Sequence, residues 1–444
     1  MGDLTVFNAL TIDAFTIAIC FAIALKEARS TLHPAWMFLA LHLYIVTFRL
    51  IQLYTGSYPM RATFAWPVAL HEVIRAAVAA DMGLLAMAVG WILARVVMRR
   101  RPRKTEMVVV SKSRIWIAAG LAMGPGIIGA LMLGRLQHGL KNTSWDTSGY
   151  MAATTTWAAW SACLLHFFYG FPLPLLILTA AALAFVALTN AARFGVVIAM
   201  IFLTLVWLSR RRKRTFPFTL IVGIVAAIAI WLPMKPFTKM LRDGAPVTEA
   251  ANEAVRHTYA ELDKDEGSLD QQFLDMSAAI MTLSDMRGTW YWGGTIYPLF
   301  VSPIPRVYWK EKPKLGQYEW DLQVPSRNMA RLGMTAGLVA EGYVNFGYAG
   351  VVLYCFGVSF AFTWGYLRIA HSHYLSPSRL LYYFCLASAA QLYRDGLISG
   401  VWFPFVYAAP IGWTAVWHWI WKPGRPRVKM PVRPRLEGTA EYVR

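Results

Sequence analysis

Apolar runs of bilayer length constrain this chain more than any other feature of its sequence. They fall at 5–25, 34–54, 77–98, 114–134, 151–168, 172–189, 194–209, 216–233, 347–367, 379–397 and 400–421. Each is roughly 16–22 residues, about the length that crosses a hydrocarbon core as a helix. Only 15% of the residues are charged, well below the roughly 25% usual in soluble domains. The fold class expected is therefore an all-α polytopic membrane protein with about 11 transmembrane helices. One stretch, 65–97, is too long for a single span, and its first part, with His71, Glu72 and Arg75, reads as an interfacial helix.

The net charge of +19 is distributed in a way that argues against nucleic acid. Arg99, Arg100, Arg101, Arg103 and Lys104 form one cluster, and Arg210, Arg211, Arg212, Lys213 and Arg214 a second. Lys422, Arg425, Arg427, Lys429, Arg433 and Arg435 form the third. Each follows directly on an apolar run, where basic residues hold a loop on the cytoplasmic side and meet anionic headgroups. Eleven crossings with the N-terminus outside put all three clusters inside. The four cysteines, Cys20, Cys163, Cys355 and Cys385, lie within apolar segments and read as small buried hydrophobes. No basic stretch precedes the first run, so no cleaved leader is expected.

The chain divides into N-terminal spans (1–233), a loop domain (234–345), C-terminal spans (346–421) and a basic, Pro-rich tail (422–444) expected to be disordered. The loop holds 12 Lys/Arg and 14 Asp/Glu and falls on the extracytoplasmic side. Within it, "PVTEAANEAVRHTYAEL" predicts a helix N-capped by Thr248, with Ala251, Val255, Tyr259 and Leu262 on one face. "GSLDQQFLDMSAAIMTL" predicts a second, opened by a Ser268/Gln271 capping box and burying Leu269, Phe273, Met276, Ile280 and Leu283. The rest turns to Gly, Pro and aromatics, as in "SPIPRVYWKEKP", whose prolines forbid a regular helix.

Ionisable residues beside apolar segments are costly unless paired or facing a polar cavity. Arg193 in "TNAARFG", Arg394 and Asp395 in "YRDGLISG", and Arg49 in "FRLIQLY" are therefore candidates, with snorkelling to the headgroups an equal reading for Arg49. The loop adds Arg287, Arg306, Arg327 and Arg331, whose planar forks suit pyrophosphate oxygens. Trp290, Tyr291, Trp292, Tyr308 and Trp309 are interleaved with them, as sugar platforms or interface anchors. Lys310 and Lys312 are expected to face solvent or lipid. Glu341, in "GMTAGLVAEGYVNFGYAGVV", stands as a general base or as a partner of Arg327 or Arg331. No HExxH or GxxxxGK[ST] occurs, and Asp263/Asp265 in "ELDKDEG" reads as a solvated turn, so no metal and no cofactor is expected.

The span outline, the large loop, "TNAARFG", "GGTIYPLFVSPIPRVYWKEKP" and "AGLVAEGYVNFGYAG" together resemble the Wzy-type O-antigen and exopolysaccharide polymerases of bacterial inner membranes. The resemblance implies a multispanning, GT-C-like glycosyltransferase that works without a metal. It would transfer a growing glycan from undecaprenyl pyrophosphate to the non-reducing end of an incoming lipid-linked repeat unit, on the periplasmic face. Arg193, Arg287, Arg306 and Arg327 would hold the pyrophosphate, with Arg331 and Arg394 nearby. Glu341 or Asp395 would act on the acceptor hydroxyl, and Trp309 and Tyr343 would touch sugar. Implied partners are the lipid-linked oligosaccharides, membrane lipids and a chain-length regulator. Related O-antigen ligases share the outline, and a lipid-linked oligosaccharide flippase or a membrane scaffold are the readings of other classes.

Overall fold

A computed structural model of the chain describes residues 5–28, 30, 32–56, 68–99, 115–117, 119–121, 123–128, 154, 156–189 and 194–211. It further describes 237, 240, 245–263, 273–301, 304, 308–313, 321–322, 337–369, 376–397, 400–401 and 409–411. Every regular element among them is helical: α1 (Val6–Glu27), α2 (Pro34–Thr55), α3 (Leu70–Arg99), α4 (Trp157–Tyr169), α5 (Leu173–Thr189) and α6 (Phe194–Arg211), then α7 (Val247–Asp263), α8 (Phe273–Arg287), α9 (Tyr297–Val301), α10 (Gly337–Ile369) and α11 (Pro377–Asp395). Four of them, α1, α2, α3 and α10, are long and apolar enough to cross a membrane. Shorter apolar helices run over Ile115–Ile128, Leu173–Val186 and Val196–Arg210. The expected spans at 216–233 and 400–421 lie almost wholly outside the described residues.

α3 differs from its expectation. It is one helix of 30 residues, about 45 Å at 1.5 Å per residue, so the turn with His71, Glu72 and Arg75 continues the axis of the span. Against it lies α10. A Cβ on Gly90 would overlap the Ser359 hydroxyl, and one on Gly83 would sit 2.8 Å from the Cys355 sulfur. Ser359 Oγ donates to the Met87 carbonyl at 3.0 Å. Small residues thus bring the two backbones together, as dispersion-driven packing between helices in lipid requires.

α10 reverses direction at Phe346 and Gly347, the latter at φ 62°, a conformation glycine adopts without steric cost. Residues eight apart on a straight helix are separated by about 12 Å. Here Gly342 and Gly350 touch, and a Cβ on Gly342 would lie 2.8 Å from the Gly350 carbonyl oxygen. The segment 337–345 is therefore a short arm folded back on the long arm 348–369.

α8 is the larger surprise. The sequence places it in a loop domain with one apolar face, yet Leu274 to Ser284 are all buried. It packs on α3, α10 and the middle of α2, and a helix buried all round belongs to a core. Met276, Ile280 and Leu283 are inside as expected, Phe273 is half-buried, and Leu269 and the Ser268/Gln271 box lie outside the described residues. α7 also departs from expectation. Ala250 and Ala254 form its buried side, whereas Ala251 and Val255 are exposed. Its first turn is closed by Ala250 N–H on the Pro246 carbonyl, so Thr248 lies within the helix.

Candidate functional site

The end of the bundle where α2 stops and α3 starts carries two buried or half-buried ion pairs. Arg49 is 3% exposed, and its Nε and Nη2 donate to the two Asp275 oxygens at 3.0 and 2.7 Å. Snorkelling is thereby excluded for Arg49, since the guanidinium is spent on a bidentate pair to α8. Arg75 on α3 meets Asp285 at the other end of α8 at 2.7 Å. The Tyr343 hydroxyl donates to both Asp285 oxygens, at 2.9 and 3.1 Å, and the Arg75 guanidinium lies 5.5 Å from the Tyr343 ring centre. Trp290 and Tyr348 close on the same ring at 5.7 and 5.2 Å. Tyr343 is therefore enclosed, and its ring braces the turn after α8.

That turn, 288–296, sits on the folded-back arm of α10. Tyr291 N–H donates to the Val344 carbonyl, and Gly293 N–H to Asn345 Oδ1 at 2.7 Å. Asn345 Nδ2 donates in turn to Thr295 Oγ1 and to the Glu341 carbonyl. Trp292 is held at φ 48° and is 73% exposed, a strained backbone for a bulky residue that presents an indole face outward. Tyr291 is pushed up to about 12 by burial first and by Asp321 second, against Arg287. It stays a neutral donor at physiological pH. Arg287 is exposed and donates to the Asp321 carbonyl at 3.0 Å.

Glu341 is 1% exposed. Thr295 Oγ1 donates to one carboxylate oxygen at 3.1 Å, and the Leu397 N–H to the other. The carboxylate thereby clamps the folded-back arm to the turn after α11, where a Cβ on Gly396 would overlap it. This is an anchoring geometry, because both oxygens are engaged and water is excluded. Arg394 pairs with Asp395 at 3.2 Å and lies 4.5 Å from the Phe273 ring centre. It lines a small cleft with Ser277, Gly337 and Tyr393.

Of the residues singled out in the sequence, Arg287, Glu341, Tyr343, Arg394 and Asp395 thus converge on α8, the 288–296 turn and the folded-back arm. Arg193, Arg306, Arg327 and Arg331 lie outside the described residues. Trp309 is half-buried in a turn closed by Lys312 N–H on its carbonyl. Lys312 is not solvated: it is 9% exposed and its Nζ donates to the Ile304 carbonyl at 2.8 Å. Lys310 is exposed.

Deeper in the bundle lies a cluster that the sequence reading passed over. Asp13 on α1, His42 on α2 and Asp81 on α3 are 0%, 0% and 2% exposed. His42 Nε2 lies 2.9 Å from Asp13 Oδ1 and 3.2 Å from Asp81 Oδ1. Nδ1 lies 2.9 Å from the Tyr393 hydroxyl of α11. Arg75 and Asp81 are six residues apart on one helix, which puts the cluster about 9 Å below the arginine level. One acid or histidine inside each of "LTIDAFTIAI", "LALHLYIV" and "AVAADMGLLA" was the available signal, because intramembrane ionisable groups are functional candidates by default.

No family model, no curated protein and no solved structure matches the chain.

Proposed function

We propose that the protein is a membrane-embedded glycosyltransferase that elongates a lipid-linked glycan at the α8 end of the bundle. The observation that carries this reading is an exposed arginine at the end of α8 followed directly by the aromatic turn 288–296. Arg287 and Trp292 are both exposed, and Arg75, Asp285 and Tyr343 pack together at the same end of α8. Guanidinium groups bind pyrophosphate oxygens, and indole faces stack on sugar. The proposed architecture is the eleven-span, GT-C-like one, in a bacterial inner membrane with this end periplasmic. The substrates are undecaprenyl-pyrophosphate-linked repeat units, and Arg193, Arg306, Arg327, Arg331 and Arg394 are proposed as further residues that bind them.

In the reaction, an acceptor hydroxyl gives its proton to a carboxylate as its oxygen bonds to the donor's anomeric carbon. The bond from that carbon to the pyrophosphate oxygen breaks, and the pyrophosphate departs with the electron pair. Arg287 and Arg75 stabilise the developing charge. Asp285, with a side chain one-third exposed, is better placed for the proton than the enclosed Glu341, which positions the turn. Incubation of the purified protein with both lipid-linked substrates tests the assignment. Asp285→Asn and Arg287→Ala are expected to lose about 100-fold or more in elongation while each keeps the size-exclusion profile of the folded protein. Full elongation in both variants refutes it.

A second reading, translocation of the lipid-linked glycan, is favoured by one observation, the buried Asp13–His42–Asp81 cluster at mid-span, where transporters place coupling sites. Vesicles loaded with substrate discriminate between the two. Elongation supports the transferase, and translocation without elongation supports the transporter.

A further inference from the structure

Asp13, His42 and Asp81 come from three different helices and place their ligand atoms within 4.8 Å of one another. With the imidazole neutral and both acids ionised, the cluster would carry two negative charges into the buried interior of the bundle. The imidazole offers one N–H at Nε2 to two acceptors, and one shared proton cannot satisfy both. The second oxygens, Asp13 Oδ2 and Asp81 Oδ2, are buried and accept no hydrogen bond among the described residues. A buried carboxylate oxygen without a donor costs several kcal/mol of lost hydration, and no described cation lies in the cluster to offset it.

We propose that Asp13, His42 and Asp81 bind one divalent transition-metal ion, with zinc as the best match to a set of one imidazole nitrogen and two carboxylates. Three features support this. First, a 2+ ion neutralises the two carboxylates, which a single proton on the imidazole does not. Second, zinc bonds of about 2.0–2.1 Å at the tetrahedral angle put neighbouring ligand atoms roughly 3.3–3.4 Å apart, and the separations from Nε2 are 2.9 and 3.2 Å, so the ligands reach that geometry by moving apart a few tenths of an ångström. Third, Tyr393 supplies what a metal-binding imidazole needs on its other nitrogen. Nδ1–H donates to the phenol oxygen, which turns the Nε2 lone pair toward the carboxylates. Without metal, the tautomer reverses: Nε2–H is shared by the carboxylates and the Tyr393 O–H donates to Nδ1. Binding therefore moves the imidazole proton from Nε2 to Nδ1 and reverses the hydrogen bond to the Tyr393 hydroxyl. The site is independent of the glycan reading, because it lies a helical layer below the 288–296 turn and joins α1, α2, α3 and α11.

The test uses the full chain in detergent, equilibrated with Zn²⁺, desalted and assayed for metal, with Co²⁺ as a spectroscopic probe. About one zinc per chain and a Co²⁺ visible band are expected. The double variant Asp13→Asn/Asp81→Asn should retain less than about a tenth of that metal. Tyr393→Phe should bind about 10-fold or more weakly through loss of the hydroxyl behind the imidazole, which keeps a readout if the double variant does not fold. Wild-type protein without stoichiometric zinc overturns the proposal, as does equal binding by a folded double variant or by Tyr393→Phe. Elongation activity is not used as the readout, so the outcome is separate from the fate of the transferase reading.

Discussion

The pairing of Arg49 with Asp275 decides whether α8 belongs to the bundle or to an aqueous loop. Their side chains are 4% and 7% exposed, and two parallel hydrogen bonds of 2.7 and 3.0 Å join them. Were α8 a solvated loop helix, as the sequence suggests, such a pair would be worth about 0–1 kcal/mol. Buried, each partner removed alone leaves the other as an uncompensated charge, at about 3–5 kcal/mol. Removing both together with apolar residues of similar volume is close to neutral by the same reasoning. A double-mutant cycle of Arg49→Met and Asp275→Leu should therefore show a coupling of at least about 3 kcal/mol between the positions.

The measurement is equilibrium unfolding from mixed micelles, followed by tryptophan fluorescence, with folding of each variant confirmed by its size-exclusion profile. The double variant should be markedly more stable than either single one. Single costs below about 1 kcal/mol, or a double variant whose loss is the sum of the two, would refute burial of the pair and the docking of α8 between α2, α3 and α10.

Three further outcomes follow from the geometry. Gly350→Ala should prevent the short arm from closing on the long one, since its Cβ overlaps the Gly342 carbonyl, whereas Gly357→Ala, with nothing within 4 Å, should be neutral or stabilise by up to about 1 kcal/mol; thermal unfolding separates the two. Gly396→Ala should cost more than about 1 kcal/mol, because φ is +90° and the new methyl meets the Glu341 carboxylate; Glu341→Ala should relieve part of that loss in the double variant. Tyr343→Phe should cost about 1 kcal/mol by leaving Asp285 one donor short, with faster proteolysis of the 288–296 turn as the check.

Legibility in the sequence followed the range of the signal. Span positions are written in local runs, and α1, α2 and α6 lie within a few residues of where composition puts them. The return of the chain at "EGYVNFGYAG" was visible as glycines around Glu341, although no periodicity reveals that Gly342 and Gly350 touch. α8 was misplaced because its polar residues, Asp275, Ser277, Thr282 and Ser284, look like a solvated face, while Arg49, the partner that permits burial of Asp275, lies 226 residues away. Metal-ligand spacing is legible only between neighbours along the chain, and Asp13 and Asp81 lie 29 and 39 residues from His42, so no local pattern marks them as one cluster. Aromatic and arginine content in the loop was visible, but not that Tyr343 is enclosed and Trp292 turned outward.

The vertical order of the charges carries one more step. At the α8 level two arginines each have their own acid, Arg49 with Asp275 and Arg75 with Asp285, so those two pairs are neutral as they stand. The π turn Leu43–Thr47 separates it on α2 from His42 below, and extra-residue turns of this kind re-aim side chains at functional positions. One layer down, two acids share one histidine, and with the imidazole neutral and both acids ionised neutrality there requires two added protons or a divalent cation. Tyr393 touches both levels, since its hydroxyl meets His42 and its carbonyl lies against Gly337 at the start of the folded-back arm. A change of charge on His42 therefore alters the partner of the Tyr393 hydroxyl. Three residues further along the same chain, Gly396 and the Leu397 N–H meet the Glu341 carboxylate, so one helix end touches both levels.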